Sequence, residues 1–349
     1  MSAPRTMSLW FGRIAASATV LALIVIVLGA YVRLTDAGLG CPDWPGCYGQ
    51  LVAPTDPSDV AAAEQAYPDA PVDSGKAWRE MLHRYLAGTL GLLILALAVI
   101  AWRNRADPQQ QLILPFVTLG VVLLQALLGM WTVTMLLRPA IVTLHLLMGM
   151  TTLALLGWMT LRHLTPGAEY ANRPAQINLR PWAAAGLVVL TVQIALGGWT
   201  STNYAALACP DFPTCQAQWL PELDLGGAFR IIGASGVNYE GGHLEPGQAV
   251  TVHFVHRFGA VITLLYLGLL GLLAVTRGGS VNRPAGIVLL VVMASQIALG
   301  IANVVLSLPL SIAVAHNAGA ALLVLALVAL NHSTRQHSVS VYQAKGFIQ

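Results

Sequence analysis

The sequence predicts an all-α integral membrane protein that crosses the bilayer eight times. Of its 349 residues, 56% are hydrophobic and only 9% are charged, whereas about a quarter of the residues in an ordinary soluble domain are charged. The mean hydropathy is +0.68. Because so few charges cannot form a water-solvated surface, the composition excludes a soluble enzyme, a nucleic-acid-binding protein and a disordered scaffold.

Eight apolar stretches support this fold, each close to the roughly 20 residues that a membrane-spanning helix needs. They cover about 14–34, 79–102, 112–135, 140–162, 182–202, 251–276, 285–307 and 312–331. Each run is continuously apolar, unlike the strands of a membrane β-barrel, in which apolar and polar residues alternate. The first stretch is longer than the apolar region of a cleavable signal peptide, which is about 7 to 15 residues. We therefore expect it to be retained as the first span.

The distribution of charge predicts that both termini lie in the cytoplasm. With this orientation the cytoplasmic segments contain 11 of the 18 basic residues but, of the acidic residues, only Asp107 and Glu169, as the positive-inside rule requires. The 11 basic residues are Arg5, Arg13, Arg103, Arg105, Arg162, Arg173, Arg180, Arg277, Arg283, Arg335 and Lys345. No Arg- and Ser-rich transit segment precedes the first span, which favours a bacterial plasma membrane over an organelle.

An internal repeat divides the chain into two four-helix halves. The segment Cys-Pro-Asp-Trp-Pro-Gly-Cys at 41–47 recurs as Cys-Pro-Asp-Phe-Pro-Thr-Cys at 209–215, which is 168 residues later. Three further correspondences are His83-Arg84 with His256-Arg257, Gln125 and Gly129 with Gln296 and Gly300, and His145 with His316. Because each unit has an even number of helices, we expect the two copies to have the same orientation, as in the parallel repeats of some transporters.

The repeat predicts the organisation of the whole chain. We expect a cytoplasmic N-terminus (1–13), a first half (14–165) with an outer loop at 35–77, a cytoplasmic linker (166–181), a second half (182–331) with an outer loop at 203–250, and a cytoplasmic tail (332–349).

Four of the nine histidines lie inside apolar spans, where an ionisable group is costly and tends to mark a functional site. They are His83, His145, His256 and His316. At 1.5 Å per residue, all four are expected within roughly 10 Å of one another in depth, in the outer leaflet. Neutral imidazole is a common metal ligand and a paired axial ligand of haem iron. Two His/His haem sites, one in each half, explain all four. A core histidine bonded to a carbonyl is the alternative for any single one.

Charged residues next to two of these histidines extend the hypothesis. Arg84 and Arg257 each follow a candidate ligand, and we expect them to bind haem propionates, since arginine suits carboxylates. The alternative is that they reach to lipid headgroups. Glu80 shares a helix face with His83, whereas the second half has His253 in the equivalent position. A carboxylate beside a haem ligand is a candidate general acid or base, although an acidic residue is also favoured at a helix start.

The order of these motifs resembles the haem A synthases, membrane enzymes that convert haem O to haem A for terminal oxidases. The similarity runs from about residue 18 to 331. It rests on the run Gly29 to Thr35, Gly38-Leu39-Gly40, the segment 41–47, the run Glu80 to Arg84, His145, His256-Arg257 and His316. The cysteine pair in each long loop places the chain with the members that have such pairs.

The resemblance implies an oxidoreductase with a substrate site and a cofactor site. Substrate haem O would lie between His83 and His145, with Glu80 essential for turnover, and a permanent haem b would lie between His256 and His316. The C8 methyl of haem O would be oxidised to a formyl group by successive hydroxylations, the second giving a geminal diol that loses water. Expected partners are membrane lipid, haem O synthase and terminal oxidase assembly factors, with an electron donor that the sequence does not identify.

Two other functions fit parts of the pattern. A dihaem electron-transfer cytochrome would use the same four histidines without modifying a substrate, and Glu80 is the residue that argues against it. A transporter without haem would share the repeat but not the matched histidines.

The cysteines lie in the two outer loops, on the oxidising side of the membrane. Their spacing favours disulfides within each loop, Cys41 with Cys47 and Cys209 with Cys215. A structural role is the leading interpretation and a redox role near the haem site is the alternative. Zinc is disfavoured because Cys-x-x-Cys spacing is missing. His243, in the second loop, is expected to be a surface residue.

Overall fold

The computed structural model describes residues 3–107, 110–164, 176–234 and 236–346, and the side chains among them from residue 9 to residue 335. Ten helices form in this part of the chain. They are α1 (Ala3–Leu34), α2 (Pro57–Ala66), α3 (Ser74–Arg103), α4 (Ile113–Thr134), α5 (Pro139–Leu164), α6 (Arg180–Thr202), α7 (Leu225–Ala228), α8 (Pro246–Arg277), α9 (Gly279–Val305) and α10 (Leu310–Gly346). Glu169, Arg173 and most of the expected linker 166–181 fall outside the described residues.

The eight predicted spans are confirmed. Eight of the ten helices, all except α2 and α7, are long and apolar enough to cross a bilayer. Within the described ranges there is no β-strand, and β-pairing is limited to two isolated bridges, Cys47 with Gln50 and Cys215 with Gln218. The fold is therefore all-α, as the composition predicts.

Several helices extend beyond the apolar stretches that predict them. Helix α3 begins at Ser74, where the Asp73 side chain accepts a hydrogen bond from the Lys76 amide at 2.9 Å. Helix α8 begins at Pro246, after a capping box between Glu245 and Gln248. Hydropathy does not detect these first turns because their residues are polar. Capping side chains accept hydrogen bonds from their free amides. At the other end of the chain, α10 continues to Gly346, through most of the segment predicted as a tail.

The helices pack into one bundle with a shared apolar core. Helix α1 contacts α3 and α5, and α4 also contacts both; likewise α6 contacts α8 and α10, and α9 also contacts both. The two groups meet where α5 contacts α6 and α10, and where α1 contacts α10. Fully buried leucines on these helices form the core. Examples are Leu97, Leu153, Leu156, Leu267, Leu289 and Leu327.

The outward faces of the bundle are also apolar. Leu92, Leu123, Val188, Leu265 and Val291 each expose more than half of their surface. Exposing apolar area to water costs about 25 cal/mol per Å², so these faces require lipid rather than water around them. The chain is a multi-pass membrane protein.

One end of the bundle carries both long loops, and we refer to it as the loop end. Here the segment between α6 and α8 contacts the first group of helices: Arg138 donates to the Gly233 carbonyl at 2.8 Å, and the Tyr239 amide donates to the Leu136 carbonyl at 2.9 Å. Lys76 and Glu240 form an ion pair at 3.6 Å. These contacts join the two groups of helices at the loop end.

Candidate functional site

The four span histidines lie on α3, α5, α8 and α10, and each packs against a glycine on a neighbouring helix. The closest approach is at the ring Cε1 atom in every case: a Cβ built on the glycine would lie 2.9, 3.3, 3.0 or 3.1 Å from it. The pairs are His83 with Gly29, His145 with Gly129, His256 with Gly197, and His316 with Gly300. Any larger residue would displace the ring, so the glycines set the position of each imidazole.

Two of the four histidines lie in each group of helices. His145 is close enough to His83 to interact with it electrostatically, and His256 interacts with His316 in the same way. The first pair lies between α3 and α5, and the second lies between α8 and α10. Each pair thus belongs to one group of helices.

The surroundings of the rings fit ligands of a haem iron. The Nδ1 atoms of His83, His145 and His316 are buried and, within the described part of the chain, have no hydrogen-bond partner. All four rings nevertheless keep part of their surface accessible. A histidine that binds a metal through one ring nitrogen commonly donates its other N–H to a second group. The donor set therefore suits two bis-imidazole haem sites.

Glu80 lies one turn before His83 and is bound from two sides. Its Oε2 accepts a hydrogen bond from the Cys41 amide at 2.9 Å, and its Oε1 pairs with the Arg84 guanidinium at 2.5 Å. Only 5% of its surface is exposed. A buried carboxylate needs such partners because an isolated one loses its hydration. Glu80 is thus held rigidly, beside the first histidine pair.

His253 occupies the corresponding place in the second group. Its Nδ1 accepts a hydrogen bond from the Cys209 amide at 3.1 Å, and 4% of its surface is exposed. Since Nδ1 is the acceptor, the ring proton of the neutral imidazole lies on Nε2. His253 therefore holds the second disulfide loop as Glu80 holds the first, without a negative charge.

The two arginines predicted to bind propionates contact main-chain carbonyls of the disulfide loops. Arg84 donates to the carbonyls of Asp43 at 3.0 Å, Pro45 at 3.2 Å and Gly46. Arg257 donates to three carbonyls in the same way: Cys209 at 2.9 Å, Asp211 at 2.8 Å and Thr214 at 2.8 Å. The structure thus gives both residues a role in holding the loops, and propionate binding stays a prediction.

The disulfides close the two loops onto themselves. Cys41 is joined to Cys47 and Cys209 to Cys215, the pairing that the sequence favours, and the sulfur-bearing residues are fully or almost fully buried. An aspartate inside each loop accepts two amide hydrogen bonds from the residues just after the second cysteine: Asp43 from 48 and 49, and Asp211 from 216 and 217. The Thr214 hydroxyl and these amides lower the pKa of Asp211 below its ordinary value.

His243 is a surface residue, as predicted. Its side chain is exposed, and its Nε2 lies 2.6 Å from the Asn238 carbonyl. It lies apart from both histidine pairs.

The family is decided by comparison with known proteins. The model of the family described as cytochrome oxidase assembly protein matches residues 12–328, which is nearly the whole chain. This chain belongs to the cytochrome oxidase assembly protein family. The resemblance that the motifs indicate is thereby confirmed.

Individual members of the cytochrome oxidase assembly protein family align over most of the chain. The heme A synthase of Shewanella oneidensis is 45% identical over 314 residues, covering 90% of this chain and 93% of its own length. The heme A synthase of Granulibacter bethesdensis is 29% identical, covering 90% of this chain and 84% of its own. That of Rhizorhabdus wittichii is also 29% identical, with coverages of 92% and 93%.

Sequence reasoning missed one residue in this member of the cytochrome oxidase assembly protein family. Gln193, on α6, lies against His256, as Gln125 and Gln296 lie against His145 and His316. The signal was present, because all three glutamines precede a ring-supporting glycine by four residues. The first group departs from this rule, since Val25 stands four residues before Gly29.

Proposed function

We propose that this protein is a haem A synthase, an oxidoreductase that converts the C8 methyl group of haem O to a formyl group by successive hydroxylations. The observation that carries the proposal is the pairing of four histidines into two sites, only one of which has a carboxylate, that of Glu80, within one turn of a ligand. The relatives named heme A synthase, which align over nearly the whole chain, support it.

The proposal assigns different roles to the two sites. His83 and His145 would bind the substrate haem O, and His256 and His316 would hold a resident haem b, which would supply a one-electron redox centre. The asymmetry between Glu80 and His253 supports this order, because only the first site has a carboxylate beside a candidate ligand, which brings a negative charge as well as a proton acceptor, whereas the His253 Nδ1 is already bonded to the Cys209 amide. Arg84 and Arg257 remain candidates for the haem propionates.

Glu80 is the proposed catalytic residue. Its two carboxylate oxygens are fixed by the Cys41 amide and by Arg84, so it does not need to reorganise before it moves a proton or orders water. Its place on the helix that bears His83 fixes its position relative to the substrate.

We further infer that the chain consists of two four-helix units with the same orientation, the first at 14–165 and the second at 182–331. Contacts near the junction support the repeat, because residues 168 positions apart meet there: Arg33 donates to the Ser201 carbonyl at 2.6 Å, and the Tyr204 hydroxyl donates to Asp36 at 2.8 Å. The same displacement relates the two disulfide loops.

The orientation follows from the charges. Basic residues gather at the end opposite the loop end, so the positive-inside rule puts both termini in the cytoplasm. The loop end with its disulfides and the histidine pairs then faces the outer side of a bacterial plasma membrane.

Haem extraction tests the function. Cells that make haem O are given this protein, and the haems of their membranes are separated and identified. We expect haem A to appear, and to disappear when Glu80 is replaced by glutamine. A red protein that never yields haem A would instead be an electron-transfer cytochrome, and a colourless one would not be a haem protein at all.

A further inference from the structure

Three of the four histidine-bearing helices are each contacted by a glutamine side chain from a neighbouring helix. Gln125 of α4 donates to the His145 carbonyl at 2.9 Å. Gln193 of α6 donates to the His256 carbonyl at 3.1 Å and lies 3.1 Å from the ring Nδ1 of the same residue. The Nε2 atom of Gln296 on α9 lies 3.4 Å from the His316 Nε2.

Glycines on the histidine helices make room for these amides. A Cβ at Gly149 would lie 3.3 Å from the Gln125 amide nitrogen, and one at Gly259 or Gly319 would overlap the amide oxygen of the facing glutamine. These glycines follow their histidines by three or four residues. The contact between the two helices is therefore reciprocal. The imidazole packs against a glycine of the glutamine-bearing helix, and the carboxamide packs against a glycine of the histidine-bearing helix.

The carboxamides retain further hydrogen-bonding capacity at the ligands. The Oε1 atoms of Gln125, Gln193 and Gln296 are buried and, among the described residues, have no donor. An iron-ligating histidine commonly donates its free ring N–H to a neighbouring acceptor. Gln125 and Gln193 thus restrain the main chain of the ligand through an N–H group, and Gln296 contacts the His316 ring, while the oxygen of each is available to accept a further hydrogen bond.

The helix pair α1 and α3 lacks this arrangement. Gly29 still supports the His83 ring, but the residue four positions earlier is Val25, and Leu86 and Ala87 stand where the other histidine helices have glycine. From α1, the His83 ring interacts with the Val25 main-chain carbonyl, while its Nδ1 has no hydrogen bond of ordinary geometry to any described residue. The main-chain carbonyls of Gln125 and Gln296 contact the His145 and His316 rings in the same way, so the difference at His83 is the missing side-chain amide.

We propose that Gln125, Gln193 and Gln296 are positioning residues that lock three of the histidine ligands, and that Val25 leaves His83 as the exchangeable ligand through which the substrate is loaded and released.

This inference rests on the proposed function and deepens it. A resident cofactor must stay while a substrate must leave as product, so both ligands of the substrate site have to release it in every cycle, and the less restrained ligand is expected to release it first. The second pair, with two glutamines, is suited to permanent binding. The first pair has one glutamine, at His145, and is therefore suited to exchange of the bound molecule at His83.

The first test adds the missing lock. In the double variant Val25→Gln/Ala87→Gly, the glycine lies four residues after His83, as Gly149 does after His145. We expect haem bound in the first half to transfer to excess apomyoglobin at least five times more slowly than in the wild type, with accumulation of haem in the purified protein. Val25→Leu and Ala87→Gly alone are the controls, and should release haem within about twofold of the wild-type rate.

The second test removes the existing locks while keeping side-chain length. Gln193→Met or Gln296→Met should speed loss of the b-type haem at least fivefold and alter its low-spin spectrum, whereas Gln125→Met should speed release from the first half only. These variants decide the question if the double variant does not fold. Folding is checked by elution profile and by the intact disulfides.

The results separate the inference from the function on which it rests. Wild-type release from a folded double variant, or unchanged haem retention and spectra in all three methionine variants, would overturn the locking role. A wild-type protein that retains no haem from cells that make haem O would overturn the haem A synthase proposal itself.

Discussion

The two disulfide loops are held by the same network, but one element of that network differs. In both, an arginine from the helix below donates to three loop carbonyls, and the amide of the first cysteine donates to a side chain three residues before a candidate haem ligand. That side chain is Glu80 in the first half and His253 in the second. Since a neutral imidazole is sufficient to hold the loop, the charge and proton capacity of Glu80 exceed what the fold requires there. The comparison thus supports the proposal that the chemistry takes place in the first half.

The largest effect is expected from removing a ligand of the resident haem. His256→Ala or His316→Ala should abolish or convert the low-spin b-type spectrum, because one axial imidazole is lost. His83→Ala is the matched variant in the other half and should keep that spectrum while haem A formation fails. Optical spectra of the purified variants decide the matter. An unchanged b-type spectrum in both second-half variants would show that the two sites have been assigned the wrong way round or that the pair is not a haem site.

The second prediction separates the structural and chemical roles of Glu80. Glu80→Gln should reduce haem A formation at least tenfold, which corresponds to roughly 1.4 kcal/mol on the barrier, while the protein remains folded and loaded with haem. Glu80→His copies the second half: the imidazole can still accept from the Cys41 amide, so the loop should hold, yet activity should remain low. Haem extraction measures activity, and thermal unfolding measures whether the loop still contributes its stability. Wild-type haem A yield in either variant would remove the catalytic role.

The third prediction concerns the disulfides. Replacing both cysteines of one loop by serine should lower stability by about 2 kcal/mol, as expected for closing so short a loop, and reduce the yield of protein. Activity per folded molecule should survive if the bonds are structural. Loss of activity in the Cys41→Ser/Cys47→Ser variant at normal stability, with Cys209→Ser/Cys215→Ser unaffected, would instead indicate a redox role in the first half. Non-reducing peptide mapping checks the pairing.

The smallest effect is a pH dependence confined to the second loop. Hydrogen bonds from the Thr214 hydroxyl and two amides lower the pKa of Asp211 in the folded protein. A carboxyl with a depressed pKa contributes stability above its ordinary pKa and loses it as the pH falls through the folded-state value. Hydrogen exchange at the amides of Gln216 and Ala217 should therefore accelerate, relative to neighbouring amides, only in strongly acidic solution. Asp211→Asn should show the faster exchange already at neutral pH.

The eight membrane-spanning helices of this protein could be predicted from sequence because each depends on the local composition of the chain. The eight stretches and the four histidines depend on composition within about 20 residues, and helical periodicity places Glu80 and His83 on one face. The carbonyl contacts of Arg84 and Arg257 could not be foreseen in the same way. They join residues about 40 positions apart, and they depend on the path of two polar loops that have no periodic pattern.

Gln193 illustrates a different reason for failure. Its counterpart at the corresponding position of the first half is Val25, so a search for residues shared by both halves passes over it. The same three-against-one pattern becomes visible only when the helix contacts of all four histidines are compared. Departures from a repeat thus carry information that the repeat itself conceals.

The junction between the halves shows what joining two units in one chain makes possible. If the units descend from a self-associating ancestor, a contact between corresponding residues would have faced its own copy across the two-fold axis. With Arg33 and Asp36 on both sides, each residue would have faced its own copy as well as the oppositely charged residue of the other unit, because position 33 also reaches position 204, the counterpart of position 36. In the present chain Arg33 meets the Ser201 carbonyl and the Tyr204 ring, and Asp36 accepts from the Tyr204 hydroxyl. Because the two sides belong to one chain, each can change without the other, so this junction can carry different residues at corresponding positions, whereas a symmetric homodimer must carry the same residue on both sides.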